Sequence, residues 1–232
     1  MNLEVLLYVF LGGLVPAILW LWFWLREDSA HPEPRGLIVV TFIAGMLSVV
    51  LTIPIQGIVY TFFPEGSMAF VFALALVEEA MKFGAAYIIA LRSKSFDEPI
   101  DAVIFMVTAA LGFTAVENFL FMIGAFGERN SVLDVIATGN LRFIGASLLH
   151  VTTSATVGLS IAFSFFRNKG DQRFMTIIGI FIATVLHTLF NLSIISDNSS
   201  NILTTFLVLW FSVICLLVFF EKIKRLNQIN TL

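Results

Sequence analysis

Charged residues are scarce in this chain of 232 residues, of which 12% are charged and 59% are hydrophobic. A soluble domain carries about 25% charged residues, so this composition excludes an ordinary soluble protein. Cysteine occurs once, at Cys215 inside an apolar run, which excludes an intrachain disulfide framework and a cysteine-based metal site. Because long polar stretches are also missing, we expect a single membrane-embedded domain over residues 1–232.

What the chain does have is a series of long apolar runs separated by short polar gaps. A membrane-spanning helix needs about 20 mainly apolar residues, and the sequence lacks the alternating segments of a membrane β-barrel. We therefore predict an all-α, polytopic transmembrane bundle of about seven helices, with the lipid bilayer around it and no nucleic-acid partner. The predicted spans are residues 4–25, 36–63, 67–91, 99–124, 140–166, 173–196 and 201–221.

The placement of Lys and Arg predicts how the bundle is oriented. Most of the 13 basic residues fall in the first, third and fifth gaps and in the carboxyl-terminal tail, whereas only Arg129 and Arg142 lie on the opposite side. Cytoplasmic loops carry the excess of positive charge. We therefore expect the amino terminus outside and the carboxyl terminus in the cytoplasm, which fits an odd number of spans.

Several polar side chains interrupt the apolar runs, where they are costly. A charged residue at the centre of a membrane helix costs about 2.5–3.5 kcal/mol on insertion scales, and a lipid-facing position cannot recover that cost. We therefore expect these side chains to face a protein interior or a wet cavity. They are Glu78, Glu79, Lys82, Glu117, Asn118, His150, His187 and Asn191.

The depths of these residues in the membrane predict that they meet. At 1.5 Å per residue, Glu78 and the two histidines lie roughly 13–15 Å below the outer ends of their helices, and Glu117 lies roughly 10 Å below. Random placement would scatter them over about 30 Å. We infer one cluster in the outer half of the membrane, formed by catalytic helices within approximately residues 67–196.

Helical spacing predicts which of these side chains act together. Lys82 falls between Glu78 and Glu79 around the helix, so it can pair with either carboxylate and leave the other free. His187 and Asn191 are four residues apart and lie on one face.

The residue types in the cluster suit hydrolysis of a peptide bond without a covalent nucleophile. A glutamate can take a proton from water, while His and Asn can donate hydrogen bonds to the oxyanion. Three other interpretations stay open: an internal ion pair without a catalytic role, a non-enzymatic scaffold or substrate-binding subunit, and a proton-coupled transporter. The candidate catalytic residues are Glu78, Glu79, His150, His187 and Asn191, supported by Lys82, Glu117 and Asn118.

Short motifs follow one another in order along roughly residues 10–195. They are Pro16 with the Trp-rich stretch after it, Glu33-Pro34, Glu78-Glu79-x-x-Lys82, Phe96-Asp97-Glu98 ahead of Asp101, Gly112-Phe113-x-x-x-Glu117-Asn118, His150 and His187-x-x-x-Asn191. This ordered set resembles the PrsW-type intramembrane proteases, which share a superfamily with the CAAX prenyl endopeptidases and the scaffold subunit of gamma-secretase. The CAAX branch has Phe-x-x-x-His where this chain has Glu117, which leaves His150 as a candidate partner for positioning the water. The CAAX branch also has Glu-Glu-x-x-x-Arg where this chain has Glu78-Glu79-x-x-Lys82, and this difference in spacing points to PrsW.

The resemblance implies a multi-pass protein of a prokaryotic cell membrane that cleaves single-pass, membrane-anchored proteins such as anti-sigma factors near the extracytoplasmic face. It implies that Glu78 or Glu79 activates the water, without deciding which. It also implies that His187 and Asn191 stabilise the oxyanion and that His150 is the family's histidine in the preceding helix.

Metal dependence is left open by the sequence. Members of the family are often called metalloproteases, and Glu78, His150 and His187 could hold Zn²⁺ with an open position for water. A glutamate-type mechanism without metal needs the same residue types, and no HExxH motif occurs. We favour the metal-free form and expect no cofactor, with zinc as the alternative.

Overall fold

The computed structural model describes residues 3–27, 31–129, 145–195 and 199–230. These described residues form helices and connecting turns without a β-strand, so the predicted all-α fold class is confirmed. The seven helices are α1 (Leu3–Glu27), α2 (Arg35–Phe62), α3 (Met68–Ile89), α4 (Pro99–Arg129), α5 (Ala146–Phe163), α6 (Lys169–Ile195) and α7 (Ser199–Asn230).

Six of the seven described helices are long and apolar enough to cross a membrane. The exception is α3, whose 22 residues suffice in length but include Glu78, Glu79 and Lys82. All three of these side chains are buried inside the bundle. The predicted number of helices therefore matches the described residues, and the charges that lower the hydropathy of α3 do not face lipid. The predicted orientation of the termini stays a prediction.

Several helix ends differ from the predicted spans. Helix α4 continues to Arg129, past the predicted end at residue 124, and α7 continues to Asn230, past residue 221. Hydropathy marks the apolar part of a helix, whereas hydrogen bonding continues into polar sequence beyond it. The predicted gap between residues 124 and 140 therefore begins as helix, while residues 130–139 and Arg142 lie outside the described residues.

Helix α4 occupies the centre of the bundle. In its most apolar stretch, 94% of the residues are buried, a larger share than in any other candidate span. Glycines allow neighbouring backbones to approach it closely: a Cβ at Gly45 of α2 would overlap the carbonyl of Ala109, and a Cβ at Gly112 would overlap the carbonyl of Phe42. Small residues at helix contacts are typical of membrane bundles. Helices α1, α2, α3, α5 and α7 contact α4, whereas α6 packs against α3, α5 and α7. Large apolar side chains are exposed on the outward faces of α1, α2, α3, α6 and α7.

The start of α3 is defined by its capping residues. Gly66 adopts a φ of 76°, in the left-handed region that glycine tolerates best. Ser67 then caps the helix, its side chain accepting a hydrogen bond from the Phe70 amide at 3.1 Å. This well-defined start places Glu78 and Glu79 about three turns into the helix.

Candidate active site

Two residues of α3, Glu79 and Lys82, form a buried ion pair within the site. Lys82 Nζ lies 2.7 Å from Glu79 Oε1, and both side chains are completely buried. The ammonium also lies 5.2 Å from the centre of the Phe113 ring, within range of a cation–π contact. Of the two carboxylates that Lys82 could reach, the structure pairs it with Glu79.

Glu79 joins three helices through its carboxylate. Besides Lys82, it accepts hydrogen bonds from Thr153 of α5 at 2.9 Å and from Ser154 at 3.5 Å, and it lies 2.8 Å from His187 Nδ1 of α6. The three short contacts, from Lys82, Thr153 and His187, all fall on Oε1, and Oε2 receives the long one from Ser154. Such a carboxylate can orient an imidazole but has little room to bind a water.

His150 connects the ion pair to a second carboxylate. Its Nδ1 lies 2.9 Å from Lys82 Nζ, and its Nε2 lies 2.7 Å from Glu117 Oε2 on α4. With the lysine donating to Nδ1, the ring proton is on Nε2 and is donated to Glu117. The imidazoles of His150 and His187 pack edge to face, with ring centroids 5.1 Å apart. His150 is thus held at both nitrogens.

Glu78, unlike Glu79, has one carboxylate oxygen without a hydrogen-bond partner among the described residues. Its Oε1 accepts a hydrogen bond from Gln56 Nε2 of α2 at 3.0 Å. Its Oε2 is buried without a hydrogen bond among the described residues and lies 3.6 Å from His187 Nε2. This gap between a carboxylate oxygen and an imidazole nitrogen is the part of the cluster best suited to a reacting molecule.

Six of the eight predicted residues are joined by the contacts above, and two stand apart from those contacts. Asn118 is buried and donates a hydrogen bond to Ser147 at 3.2 Å, which ties α4 to α5. Asn191 is half-buried, one turn beyond His187 on the same face of α6, and no side-chain hydrogen bond of it is seen among the described residues. Its amide is therefore available to a ligand.

Sequence reasoning missed Gln56 and the direct role of Thr153. Gln56 is a single amide in the apolar run LTIPIQGIVY, and that isolation was the available signal. In the sequence, Thr153 is one of several small and hydroxyl residues in α5, and nothing in the pattern distinguishes it from the others. Its bond to Glu79 depends on how α3 and α5 pack, which spacing within one helix cannot predict.

A metal ion is the remaining question for this cluster. Glu78, His150 and His187 each offer a ligand atom, and these atoms lie within 4.8 Å of one another. The residue types suit Zn²⁺, which takes three protein ligands in catalytic sites. However, both nitrogens of His150 are engaged by Lys82 and Glu117. Glu78 and His187 present free ligand atoms in this arrangement, and a three-ligand site would form if His150 exchanged one of its two contacts for the metal.

The fold and the buried cluster define a polytopic membrane protein with an acid–imidazole centre. Residues 33–219 match the PrsW family intramembrane metalloprotease, and the chain belongs to this family. It is thus an intramembrane protease and a multi-pass bacterial membrane protein. The suspected resemblance is confirmed.

Curated relatives support the same assignment. The chain is similar to proteins named Protease PrsW from Halalkalibacterium halodurans, at 26% identity over 94% of this chain and 97% of the relative, and from Clostridioides difficile, at 28% identity over 79% and 77%. Protease PrsW from Bacillus subtilis is 27% identical over 76% of this chain and 78% of the relative. No solved structure matches the chain.

Proposed function

We propose that this protein is a glutamate-type endopeptidase that hydrolyses a peptide bond in single-pass, membrane-anchored proteins, with Glu78 as the base. The observation that carries the proposal is the 3.6 Å gap between Glu78 Oε2 and His187 Nε2, in which neither atom has a closer partner among the described residues. The two atoms are too close for a water to lie between them, but a water that enters beside them, about 2.8 Å from each, would hydrogen-bond to both.

The chemical steps follow from these positions. Glu78 takes a proton from the water, and the resulting hydroxyl oxygen attacks the scissile carbonyl carbon. His187 donates from Nε2 to the oxyanion, and the Asn191 amide supplies a second donor. When the tetrahedral intermediate collapses, the carbon–nitrogen bond breaks and Glu78 returns its proton to the departing amine. The products are a new carboxyl terminus and a new amino terminus.

The other members of the cluster act by positioning. The Glu79 carboxylate faces His187 Nδ1 at 2.8 Å, which directs Nε2 toward Glu78. Lys82 balances the charge of Glu79, and His150 with Glu117 holds the lysine in place. Gln56 fixes the rotamer of Glu78 through its other oxygen. These contacts leave one carboxylate free for chemistry and one dedicated to orientation.

The substrate class follows from the fold and from the family. The site is enclosed by membrane-spanning helices, so a peptide bond must arrive from within or close to the bilayer. By resemblance to PrsW-type proteases, such substrates would include membrane-anchored proteins like anti-sigma factors. The predicted orientation would place the cut near the extracytoplasmic side.

The test compares Glu78→Gln, Glu79→Gln and His187→Ala with wild type, using purified full-length protein and a panel of single-pass substrates. Glu78→Gln should abolish turnover with unchanged thermal stability, whereas Glu79→Gln should lose both activity and stability. Glu65→Gln, an exposed glutamate in the turn before α3, is the matched control and should behave like wild type. Full activity of Glu78→Gln would end the proposal. A wild-type protein that cleaves no membrane substrate would instead favour a scaffold.

A further inference from the structure

A cavity of about 270 Å³ lies between α5, α6 and α7, outside the contacts of the acid–imidazole cluster. Its walls combine apolar side chains, among them Leu149, Leu189 and Leu209, with Ser and Thr hydroxyls, and none of the described residues that line it is charged. Drug-sized ligands usually occupy about 300–1,000 Å³. The cavity is therefore of a size for a side chain or two rather than for a whole small molecule.

The cavity leads from the outer surface of the bundle toward the site. At its rim, Leu189 is 49% exposed and Val208 is 53% exposed, on surfaces that face lipid in a membrane-spanning bundle. At its inner end, Leu149 and Thr153 are buried. Thr153 both lines the cavity and donates a hydrogen bond to Glu79. One side chain thus separates the cavity from the carboxylate that orients His187.

The polar atoms in the wall make the cavity suitable for uncharged groups. Hydroxyls of Thr152, Ser193 and Ser212 donate to carbonyls four residues earlier in their own helices. The donor capacity of these three hydroxyls is used, so they offer the cavity only weak acceptor sites. A charged group would find no counter-ion there, whereas an aliphatic or aromatic group would gain contacts with the leucines.

We propose that this cavity is a substrate subsite that receives an apolar side chain of the substrate polypeptide close to the bond that is cut. The inference rests on the proposed function and adds the chemistry by which substrates are selected. The occupant is the transmembrane segment of the substrate, because the rim opens toward lipid and the inner end reaches the cluster. A lipid acyl chain is the competing occupant.

The experiment changes the size of the cavity and of the substrate side chain together. The cleaved bond of one single-pass substrate is first mapped by mass spectrometry, and Ala, Leu, Phe or Asp is then placed at each flanking position. Leu209→Ala enlarges the cavity, and Val208→Trp fills its rim. The matched controls are Leu207→Ala and Ile214→Trp, which are exposed positions of the same helix outside the cavity.

For one of the flanking positions, we compare kcat/KM of the substrate carrying Phe with that of the substrate carrying Leu. Leu209→Ala should raise this ratio by about tenfold, because differences of one or a few methylene groups in a hydrophobic pocket change kcat/KM on that scale. Val208→Trp should reduce cleavage of the Leu and Phe substrates while sparing the Ala substrate, and both controls should keep the wild-type ratios. The wild-type enzyme should reject Asp.

Unchanged ratios in both cavity variants would overturn the subsite, and loss of a co-purified phospholipid alongside unchanged ratios would assign the cavity to lipid. Failure of the proposed function looks different: wild type would cleave no substrate, or Glu78→Gln would cleave as well as wild type.

Discussion

Replacing Lys82 with Met tests whether the buried ion pair holds the site together. The Lys82 and Glu79 side chains are completely buried and 2.7 Å apart, so the change leaves a carboxylate without its counter-ion. Breaking a buried pair by removing one partner costs about 3–5 kcal/mol. Because Glu79 keeps its contacts with Thr153, Ser154 and His187, we expect a value near the lower end, about 3 kcal/mol.

The converse change should cost more. Glu79→Gln leaves the ammonium with the His150 ring nitrogen and the Phe113 face, so we expect a loss near the upper end, about 5 kcal/mol. Removing both charges, in Glu79→Gln with Lys82→Met, should return the stability to within roughly 2 kcal/mol of wild type, since a buried pair can often be replaced at little cost. The double variant should still be inactive, because a neutral amide in place of the carboxylate cannot orient the imidazole as a charge does.

The assay is equilibrium unfolding of the purified full-length protein in mixed detergent micelles, run beside a cleavage assay. Lys94→Met removes an exposed lysine in the turn after α3 and serves as the matched control. A loss below about 1 kcal/mol for Lys82→Met would refute the buried pairing. So would a double variant as unstable as the two single variants combined.

Three further predictions address orientation, packing and metal. Gln56→Leu should lower kcat about 10- to 100-fold with little change in KM, because Glu78 loses a hydrogen bond of the kind worth about 1.5–3 kcal/mol. Gly112→Ala should destabilise the protein by about 1–3 kcal/mol through overlap with the Phe42 carbonyl, while Gly57→Ala, which meets open space, should not. Chelation of divalent metals should leave cleavage intact, as measured by the initial rate before and after treatment.

Each of these predictions can fail in a distinct way. A Gln56→Leu variant with an unchanged kcat would show that Glu78 needs no fixed rotamer. Equal stability of the two glycine variants would contradict the close approach of α2 and α4. Activity that disappears on chelation and returns with Zn²⁺ would show that His150 exchanges a hydrogen bond for the metal.

The helices were predictable from the sequence because the apolar runs are long and clearly separated. The ends of the helices were harder to predict. Helix α7 continues past residue 221 into polar sequence, where Lys224 pairs with Glu27 of α1 at 2.9 Å. The membership of the cluster was also predictable in large part, since depth limits where buried charges can meet. Six of the eight residues lie together as a result.

The sequence did not predict which of the two glutamates pairs with Lys82 and which keeps an unpaired carboxylate oxygen. Glu78 and Glu79 lie four and three residues before Lys82, and both spacings allow an ion pair on a helix, so helical geometry leaves either one free. The choice is made by Thr153 and His187, which come from helices that follow much later in the chain. Gln56 was missed for the same reason, since only the packing of α2 on α3 reveals its partner.

The charges of α3 affect how the chain enters the membrane. When α3 leaves the ribosome, Lys82 can already pair with Glu79 one turn away, but Glu78 has only Gln56 of the preceding helix for support. The histidine that faces both glutamates is synthesised more than a hundred residues later. Stable insertion of α3 therefore depends on helices that do not yet exist, and the bundle must assemble its polar centre as a group rather than one span at a time.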